Sequence, residues 1–191
     1  MKLHIEETHI PDLVIVRREP MRDDRGYFVE QFRADSFEAA GLPGQFAQIN
    51  QSESRRGVVR GLHFQWDPPQ AKLLRVASGR AYVVGVDIRP GSPTLGQWHG
   101  VEMEANPDVQ VWAPAGFARG FCALTDACVV QYLCTGSYNA ACEGGIRWDD
   151  PEVGIQWPLE EAILSDKDRE QPTLAEWLTR PEAQQFRYGG A

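Results

Sequence analysis

Short runs of β-branched and aromatic residues recur along almost the whole chain, and each run is bounded by Gly, Pro, Asn or Asp. Runs of this kind predict β-strands, and turn residues at such close intervals predict an all-β sandwich or barrel. The run YVVGVDI at 82–88 is apolar at both alternations, which predicts a strand covered on both faces in a two-sheet sandwich. The eleven runs are LVIVRR, GYFVEQF, QFAQINQS, VVRGLHFQ, KLLRVASG, RAYVVGVDIR, GQWHGVEM, VQVWAPAG, RGFCALT, CVVQYLCT and EGGIRW.

Helical periodicity is weak by comparison and is confined to two short segments. The first is ADSFEAAG at 34–41, where Asp35 or Ser36 is predicted to be the N-cap and Gly41 the C-cap. This segment is long enough for about two helical turns. We therefore expect one short helix near 35–41 beside the strands.

The second helical segment lies near the C-terminus and begins at Pro172, with the sequence PTLAEWLTRPEA. Thr173 is the expected N-cap, and Glu176 follows it by three residues, which is the spacing of a capping box. The remaining residues, about 181–191, are polar and small, and they predict a loose tail. A single domain is expected to span 1–191.

Composition and charge argue against nucleic acids and membranes as binding partners. The 191 residues include 19 Lys and Arg against 27 Asp and Glu, a formal net charge of −8. An acidic chain without a basic run does not attract a nucleic-acid backbone, and no stretch of about 18 apolar residues could span a bilayer. The N-terminal MKLHIEETHIPDLVIV lacks the apolar region of a signal peptide. We expect a cytoplasmic protein with no nucleic-acid or membrane partner.

The four cysteines, Cys122, Cys128, Cys134 and Cys142, fit neither a zinc site nor a small disulfide scaffold. They form no CxxC pair and have no nearby His. Cys122 and Cys128 lie in apolar runs, where a free Cys acts as a small hydrophobe. They are predicted to be structural thiols.

Polar residues are concentrated between Asn50 and Lys72, on two predicted strands. Strict alternation in VVRGLHFQ would place Arg60 and His63 on opposite faces of the strand. Gly61 lies between them, and a glycine inside a strand often marks a bulge that redirects neighbouring side chains. The cluster comprises Asn50, Gln51, Ser52, Arg55, Arg56, Arg60, His63, Gln65, Gln70 and Lys72.

His63 is open to two interpretations. Flanked by Leu and Phe, and with no HxH or HxxxH pair in the chain, it fits a hydrogen-bonded core histidine. It also fits a general base, which needs one orienting carboxylate, and Asp168 is a candidate. Taken alone, DDRGYF at 23–28 and LSDKD at 164–168 predict solvated turns, and PAGFARGF predicts a turn leading into a strand.

Seven blocks in order and spacing closely resemble the dTDP-4-dehydrorhamnose 3,5-epimerase family. The resemblance covers roughly residues 4–175. It implies a cupin-type double-stranded β-helix, or jelly roll, that forms a homodimer and uses no metal or other cofactor. The blocks are DDRGYFVEQF, QINQSESRRGVVRGLHFQ, PPQAKLLRVASG, VDIRPGSPTLGQW, PAGFARGF, GIRWDDPEVGIQWP and LSDKD.

The resemblance also implies a reaction and a set of residues for it. Family members invert stereocentres on either side of the ketone of a nucleotide-linked 4-keto-6-deoxyhexose, on the way to dTDP-L-rhamnose and related deoxysugars. Such chemistry needs a base at carbon, a cation or donor at the ketone oxygen, and an acid on the opposite face. By resemblance, His63 is the base, Asp168 orients it, Lys72 stabilises the enolate and Tyr132 is the acid.

Substrate-binding positions carry over in the same way, and part of the pocket, including the DDRG segment, is implied to come from the neighbouring subunit. Arginine suits the diphosphate because its fork contacts two phosphate oxygens at once. The matching residues are Arg25, Arg60 and Lys167 for the diphosphate, Gln48 and Asn50 for the substrate, and Phe28 and Tyr138 for the nucleotide base.

Three positions depart from the family pattern. Val83 stands where the family usually has Asp, Arg119 where it has a second His, and Leu133 where many members have Lys. Arg119 belongs to the substrate-binding set, but an arginine cannot serve as a base. The departures therefore leave undetermined which sugar is the substrate and whether one or two of its carbons are inverted. The default is 3,5-epimerisation. The alternatives are inversion at C3 or C5 only, a different nucleotide sugar, and, less favoured, a cupin that binds sugar nucleotides without turnover.

Overall fold

A computed structural model describes residues 2–105 and 108–189, and these form thirteen strands and three α-helices. The strands are β1 Leu3–Glu7, β2 Val14–Arg18, β3 Met21–Asp23, β4 Gly26–Phe28, β5 Gln48–Ser54, β6 Val59–Gln65, β7 Lys72–Ser78, β8 Arg80–Asp87, β9 Trp98–Glu104, β10 Val109–Ala113, β11 Phe117–Ala123, β12 Cys128–Cys134 and β13 Glu143–Gly145. The helices are α1 Ala34–Ala39, α2 Asp166–Arg169 and α3 Leu174–Leu178, with 3-10 helices at Ala140–Cys142 and Pro181–Phe186.

The strands form two antiparallel sheets that face each other, and the all-β prediction is confirmed. One sheet has the order β1-β2-β10-β7-β12-β5 and the other β13-β6-β11-β8-β9, while β3 and β4 form a separate hairpin. Each of the eleven predicted runs overlaps a strand. β1 and β3 were not predicted, because β1 is a mostly exposed edge strand and β3 is an exposed three-residue strand, so neither has a clear apolar pattern.

Apolar side chains form three layers around and between the sheets. Residues from both sheets, including Leu74, Val83 and Phe121, fill the interior. The five-stranded sheet is covered on its outer face by the C-terminal segment with Trp177, and the six-stranded sheet by the α1 region with Phe37. As predicted, β8 is buried on both faces, since alternate residues of this strand belong to the interior and the outer layer.

The C-terminal residues differ from the predicted loose tail. Pro181–Phe186 is a 3-10 helix in which Phe186 is 5% exposed. The Phe186 ring packs against Phe64 and Trp177, with centroids 5.9 and 6.4 Å apart. Phe186, together with the buried Ala183, thus packs this segment against the sheet. The predicted tail's last two residues, 190–191, lie outside the described residues.

The two predicted helices form, with one correction to their capping. α1 begins after Arg33, whose side chain makes no capping hydrogen bond, so the predicted N-caps Asp35 and Ser36 lie within the first turn. Its C-cap is Ala40, and the predicted Gly41 follows with a φ of +78°. The capping box of α3 is confirmed: the Glu176 amide donates to Thr173 Oγ1 at 3.2 Å, and the Thr173 amide donates to a Glu176 carboxylate oxygen at 2.8 Å.

The cysteines are free thiols. Cys122 and Cys128 are buried, as their apolar runs predict, and Cys134 is buried as well. Burial raises the pKa of the Cys122 thiol to about 11, so it stays protonated at neutral pH. Across residues 2–105 and 108–189, no helix has the length and apolar character needed to cross a membrane.

Candidate active site

A cleft between the two sheets contains the main cluster of predicted site residues. It consists of two adjoining cavities of about 290 Å³ each, which share the side chains of His63, Lys72, Tyr132 and Glu143. The cavity that contains the His63–Asp168 pair, named the inner cavity, is further lined by Ser52, Arg60, Leu74, Arg119, Gly120, Phe121, Ser165, Lys167 and Asp168. The cavity that contains Tyr138, named the outer cavity, is further lined by Gln48, Asn50, Phe64, Gln65, Gln70 and Tyr138.

Gly61 brings Arg60 and His63 to the same cavity, as the sequence predicts. It has a φ of +113°, and the pairing of β6 with β11 shifts register at this point. A Cβ on Gly61 would lie 2.6 Å from the backbone oxygen of Arg119, so only glycine fits. The irregularity breaks strict alternation, and both polar side chains line the inner cavity.

His63 is hydrogen bonded to a buried carboxylate. Its Nε2 lies 2.6 Å from Asp168 Oδ1, and Ser165 Oγ donates to Asp168 Oδ2 at 2.9 Å. Burial would raise the pKa of Asp168, but the hydrogen bonds from His63 and Ser165 lower it overall. LSDKD is therefore not a solvated turn: Ser165 caps α2, and Asp168 is 4% exposed.

The six-stranded sheet supplies the facing side of the cleft. Lys72 on β7 places Nζ 4.7 Å from the ring centroid of Tyr132 on β12. Burial, together with the positive charge of Arg119, lowers the pKa of Lys72 to about 8. Burial also raises the pKa of Tyr132, so the phenol keeps its proton at neutral pH. Two potential proton donors thus face His63 across the cleft.

The predicted binding residues in the outer cavity form a connected set. Gln48 Nε2 donates to Asn50 Oδ1 at 2.8 Å, and the backbone N–H of Tyr138 donates to Gln48 Oε1 at 2.9 Å. At the inner cavity, Arg60 Nε donates to Ser54 Oγ at 3.0 Å. These contacts orient polar side chains toward the cavities before any ligand binds.

Glu143 is a site residue that sequence reasoning missed. Its carboxylate accepts hydrogen bonds from Tyr138 Oη at 3.0 Å and from Lys167 Nζ. Burial opposes ionisation, but these two hydrogen bonds lower the pKa of Glu143 overall. Only the pairing of β13 with β6, which places Gly145 opposite His63, could have located it.

Two predicted binding residues lie away from the cleft. Arg25 and Phe28 belong to the β3–β4 hairpin, and neither lines the two cavities. The Arg25 side chain is 89% exposed and pairs with Asp23 at 2.5 Å, and Phe28 is 63% exposed. Within one chain, the structure does not bring this hairpin to the other predicted residues.

The three positions that depart from the family pattern have different environments. Val83 is buried in the interior layer and does not line the cleft. Leu133 packs in the outer layer of the six-stranded sheet. Arg119 lines the inner cavity and is 4% exposed, so it is the departure that changes the chemistry of the cleft.

A larger groove of about 610 Å³ lies between α3 and the loop before β9, and it is a weaker candidate. Its lining includes Leu95, Trp98, Leu174 and Leu178. Its titratable members are His9 and Glu152, with no lysine or arginine. Since active sites combine convergent polar groups with perturbed pKa values, we assign the candidate site to the smaller cleft.

Comparison with known proteins shows the family of the chain. A family model described as dTDP-4-dehydrorhamnose 3,5-epimerase matches residues 7–176. The dTDP-4-dehydrorhamnose 3,5-epimerase of Methanothermobacter thermautotrophicus is 45% identical over 173 residues, or 89% of this chain and 94% of that protein. The dTDP-4-dehydrorhamnose 3-epimerase of Streptomyces niveus is 42% identical over 160 residues, covering 83% of this chain and 77% of that protein.

Solved structures are similar over the full length. The crystal structure of the dTDP-6-deoxy-D-glucose-3,5-epimerase RmlC of Legionella pneumophila, in complex with dTDP-4-keto-L-rhamnose, has a TM-score of 0.91. It is 38% identical, and the match covers 100% of both chains. These similarities confirm the resemblance carried by the seven sequence blocks, together with the cupin-type fold that it implies.

Proposed function

The chain belongs to the dTDP-4-dehydrorhamnose 3,5-epimerase family, and from this premise we propose that its cleft epimerises a nucleotide-linked 4-keto-6-deoxyhexose. The default substrate is dTDP-4-dehydro-6-deoxy-D-glucose, which inversion at C3 and C5 converts to dTDP-4-dehydro-L-rhamnose. One observation carries the proposal: the His63–Asp168 hydrogen bond holds a base in the same cleft as Lys72 and Tyr132.

His63 removes the proton from the carbon next to the ketone. Because Nε2 faces the Asp168 carboxylate, a neutral ring protonated at Nε2 keeps the lone pair of Nδ1 for the substrate. Asp168 fixes this tautomer and stabilises the imidazolium that forms. The lowered pKa of Asp168 keeps the carboxylate ionised for this role.

Tyr132 returns a proton to the opposite face of the carbon, and Lys72 stabilises the enolate between the two steps. The two residues lie on the six-stranded sheet and His63 on the five-stranded sheet, so acid and base approach from different sides. An ammonium group is a compact charge that suits a single enolate oxygen. The result is inversion at the carbon.

The diphosphate binds at Arg60 and Lys167, the sugar contacts Gln48 and Asn50, and Tyr138 contacts the base. Positive charge in the cleft supports an anionic substrate although the whole chain carries −8, because the local field governs binding. The charged residues that line the cleft are Arg60, Lys72, Arg119 and Lys167, against Glu143 and Asp168.

The enzyme acts in the cytoplasm as a homodimer, and Arg25 and Phe28 complete the cleft of the neighbouring subunit. Both side chains are exposed on a hairpin of two three-residue strands. A two-stranded hairpin is only marginally stable alone, and a partner surface would give these residues their contacts.

NMR of the protein with dTDP-4-keto-6-deoxy-D-glucose in D₂O tests the reaction. Deuterium at C3 and C5, with a product that a rhamnose-forming reductase accepts, is the expected result. A His4→Asn variant is the matched control, because His4 lies on β1, outside the two cavities. Exchange at neither carbon would overturn the proposal, and binding of dTDP without exchange would indicate a cupin that only binds.

Inversion at a single carbon is the second candidate function. The Streptomyces niveus relative is named a 3-epimerase, and Arg119 changes the inner cavity of this chain. In the same experiment, deuterium at C3 or C5 alone would identify this function. Exchange only with a sugar linked to another nucleotide would identify a different substrate.

A further inference from the structure

Two buried glutamines of the polar cluster between Asn50 and Lys72 are not used by the proposed reaction. Gln65 is 2% exposed and Gln70 is 4% exposed. Gln65 is the last residue of β6, and its side chain lines the outer cavity. Because a buried amide is hydrogen bonded to its surroundings, the partners of Gln65 indicate its role.

The Gln65 side chain uses both of its N–H donors and its oxygen on backbone groups. Nε2 donates to the backbone oxygens of Pro68 at 2.9 Å and Ser137 at 3.0 Å, and Oε1 accepts from the backbone N–H of Asn139 at 2.8 Å. A flipped amide would place its NH₂ group against the N–H of Asn139, so these partners fix its orientation. The bonds to Ser137 and Asn139 hold the backbone on both sides of Tyr138.

Tyr138 lies in a segment, 135–139, that is neither helix nor strand. Gln70 Nε2 donates to the backbone oxygen of Gly136 at 2.8 Å, and the backbone N–H of Tyr138 donates to Gln48 Oε1 at 2.9 Å. With the two bonds of Gln65, glutamine side chains contact the backbone of four consecutive residues, 136–139. In place of a β-ladder, these amides satisfy the backbone groups of the segment and fix its path.

The segment also packs closely against the loop that follows β6. A Cβ on Gly136 would lie 3.1 Å from Pro68 Cγ and 3.5 Å from the backbone oxygen of Pro69. Asn139 Nδ2 donates to the backbone oxygen of Asp67 at 2.8 Å. Gln65 therefore lies between two loops in contact and joins them through Pro68 on one side and Ser137 on the other.

The Tyr138 ring itself has little support from packing, since the residue is 57% exposed. Its Oη donates to a Glu143 carboxylate oxygen at 3.0 Å. The direction of the ring is thus set by this hydrogen bond and by the backbone that carries it. A ring that is already oriented binds a base more tightly, because ordering it on binding would cost free energy.

We infer that Gln65 is a positioning residue that holds Tyr138 in place for the nucleotide base; this inference rests on the proposed function. Gln65 acts through the backbone of Ser137 and Asn139, and His63 and Lys72 do not depend on it for their contacts. Loss of the amide should therefore weaken nucleotide binding and leave the chemistry of the bound sugar unchanged.

Gln65→Met, which keeps the length of the side chain but removes the amide, tests the inference. We expect the Kd of dTDP to rise on the order of 10-fold, within the range for loss of one base-stacking contact. Deuterium exchange at saturating substrate should stay within about twofold, because only binding is affected. The Kd of inorganic diphosphate should not change, since Arg60 and Lys167 lie outside the segment. General damage to the cleft would instead weaken both ligands.

A double-mutant cycle with Tyr138→Ala shows whether Gln65 acts through the Tyr138 ring. Once the ring is absent, Gln65→Met should change the Kd of dTDP by less than about twofold. Gln110→Met is the matched control, because Gln110 is a glutamine that is 1% exposed and lines neither cavity. This variant should leave the Kd of dTDP unchanged.

An unchanged Kd of dTDP in Gln65→Met, additive effects in the cycle, or equal weakening by Gln110→Met would overturn the inference. If Gln65→Met does not fold, Gln65→Glu decides, because it keeps the acceptor for Asn139 but loses the amide donors. The Kd of dTDP should again rise more than that of inorganic diphosphate, and an equal change would overturn the inference. Absence of deuterium exchange in the wild-type protein would overturn the proposed function, and absence of dTDP binding would overturn both.

Discussion

The cleft and the β3–β4 hairpin both carry residues assigned to the substrate, but the two regions hold them differently. In the cleft, His63 is fixed by Asp168, which is fixed in turn by Ser165. On the hairpin, the Arg25 guanidinium pairs with Asp23 two residues away, and the side chain is 89% exposed. The cleft residues are thus held by contacts within one chain, whereas the Arg25 and Phe28 side chains on the hairpin are exposed.

The largest expected effect is the loss of deuterium exchange when the proposed base in the cleft, His63, is removed. His63→Ala should reduce deuterium exchange at C3 and C5 by about 10²–10⁴-fold, the usual contribution of a general base. The affinity for dTDP should change by only a few-fold, since the nucleotide contacts remain. Exchange at the wild-type rate would remove His63 as the base, and His4→Asn is the matched histidine control.

Tyr132→Phe separates deprotonation from inversion. Without the hydroxyl, His63 still removes the proton and returns deuterium to the same face, so exchange without inversion is expected. Formation of inverted product should fall by about 10²-fold or more. NMR of the recovered sugar measures both quantities, and full epimerisation by this variant would contradict the assignment of the acid.

Local patterns predicted most of the strands and the capping box, because those features depend on neighbouring residues. Contacts between distant residues were harder to predict. LSDKD taken alone predicted a solvated turn, and only the family resemblance assigned Asp168 to His63. In the structure Asp168 is buried and hydrogen bonded to His63, which lies 105 positions earlier in the chain. The pairing of β13 with β6 places Glu143 in the cleft, and packing against Phe64 and Trp177 buries Phe186 in the outer layer.

The two arginines assigned to the diphosphate allow a direct comparison of the regions. Arg60→Ala in the cleft should weaken binding of the sugar nucleotide by roughly 10- to 100-fold, or about 1.5–3 kcal/mol for a charge-assisted contact. Calorimetric titration measures this effect. An unchanged Kd would show that Arg60 does not hold the diphosphate.

Arg25→Ala on the hairpin should also weaken binding, but its defect should be complemented in mixed dimers. When Arg25→Ala and His63→Ala chains are mixed and allowed to exchange subunits, about a quarter of the clefts receive both native residues. Activity at low substrate should then exceed that of either parent. A mixture of Arg60→Ala and His63→Ala is the matched control, because both residues line the cleft of their own chain and no cleft of a mixed dimer then contains both native residues.

If the first mixture shows no gain although subunits exchange, Arg25 does not complete the partner's cleft. Subunit exchange is checked independently, by native mass spectrometry of chains that carry different tags. A monomer in this measurement would contradict the homodimer and leave the hairpin without its proposed surface.

The smallest expected effect is on thermal stability. It is tested by comparing Asp168 in the cleft with Asp23 on the hairpin, since both carboxylates have a lowered pKa. Asp168 is buried in the cleft, so its lowered pKa in the folded state contributes stability that is present above the unfolded value, about 3.9, and lost as pH falls. Asp168→Asn should therefore lower Tm at pH 7, and the difference from wild type should shrink as pH falls below about 4.

Asp23 on the hairpin has a lowered pKa as well, owing to Arg25, but this pair is exposed to solvent. Solvent screens such pairs, so Asp23→Asn should leave Tm unchanged within error at every pH. Thermal unfolding of both variants across pH 3–7 makes the comparison. An equal decrease in Tm for the two variants would mean that Asp168 in the cleft contributes no more to stability than Asp23 on the hairpin does. The two regions would then differ in their proposed roles in the reaction but not in how their carboxylates stabilise the fold.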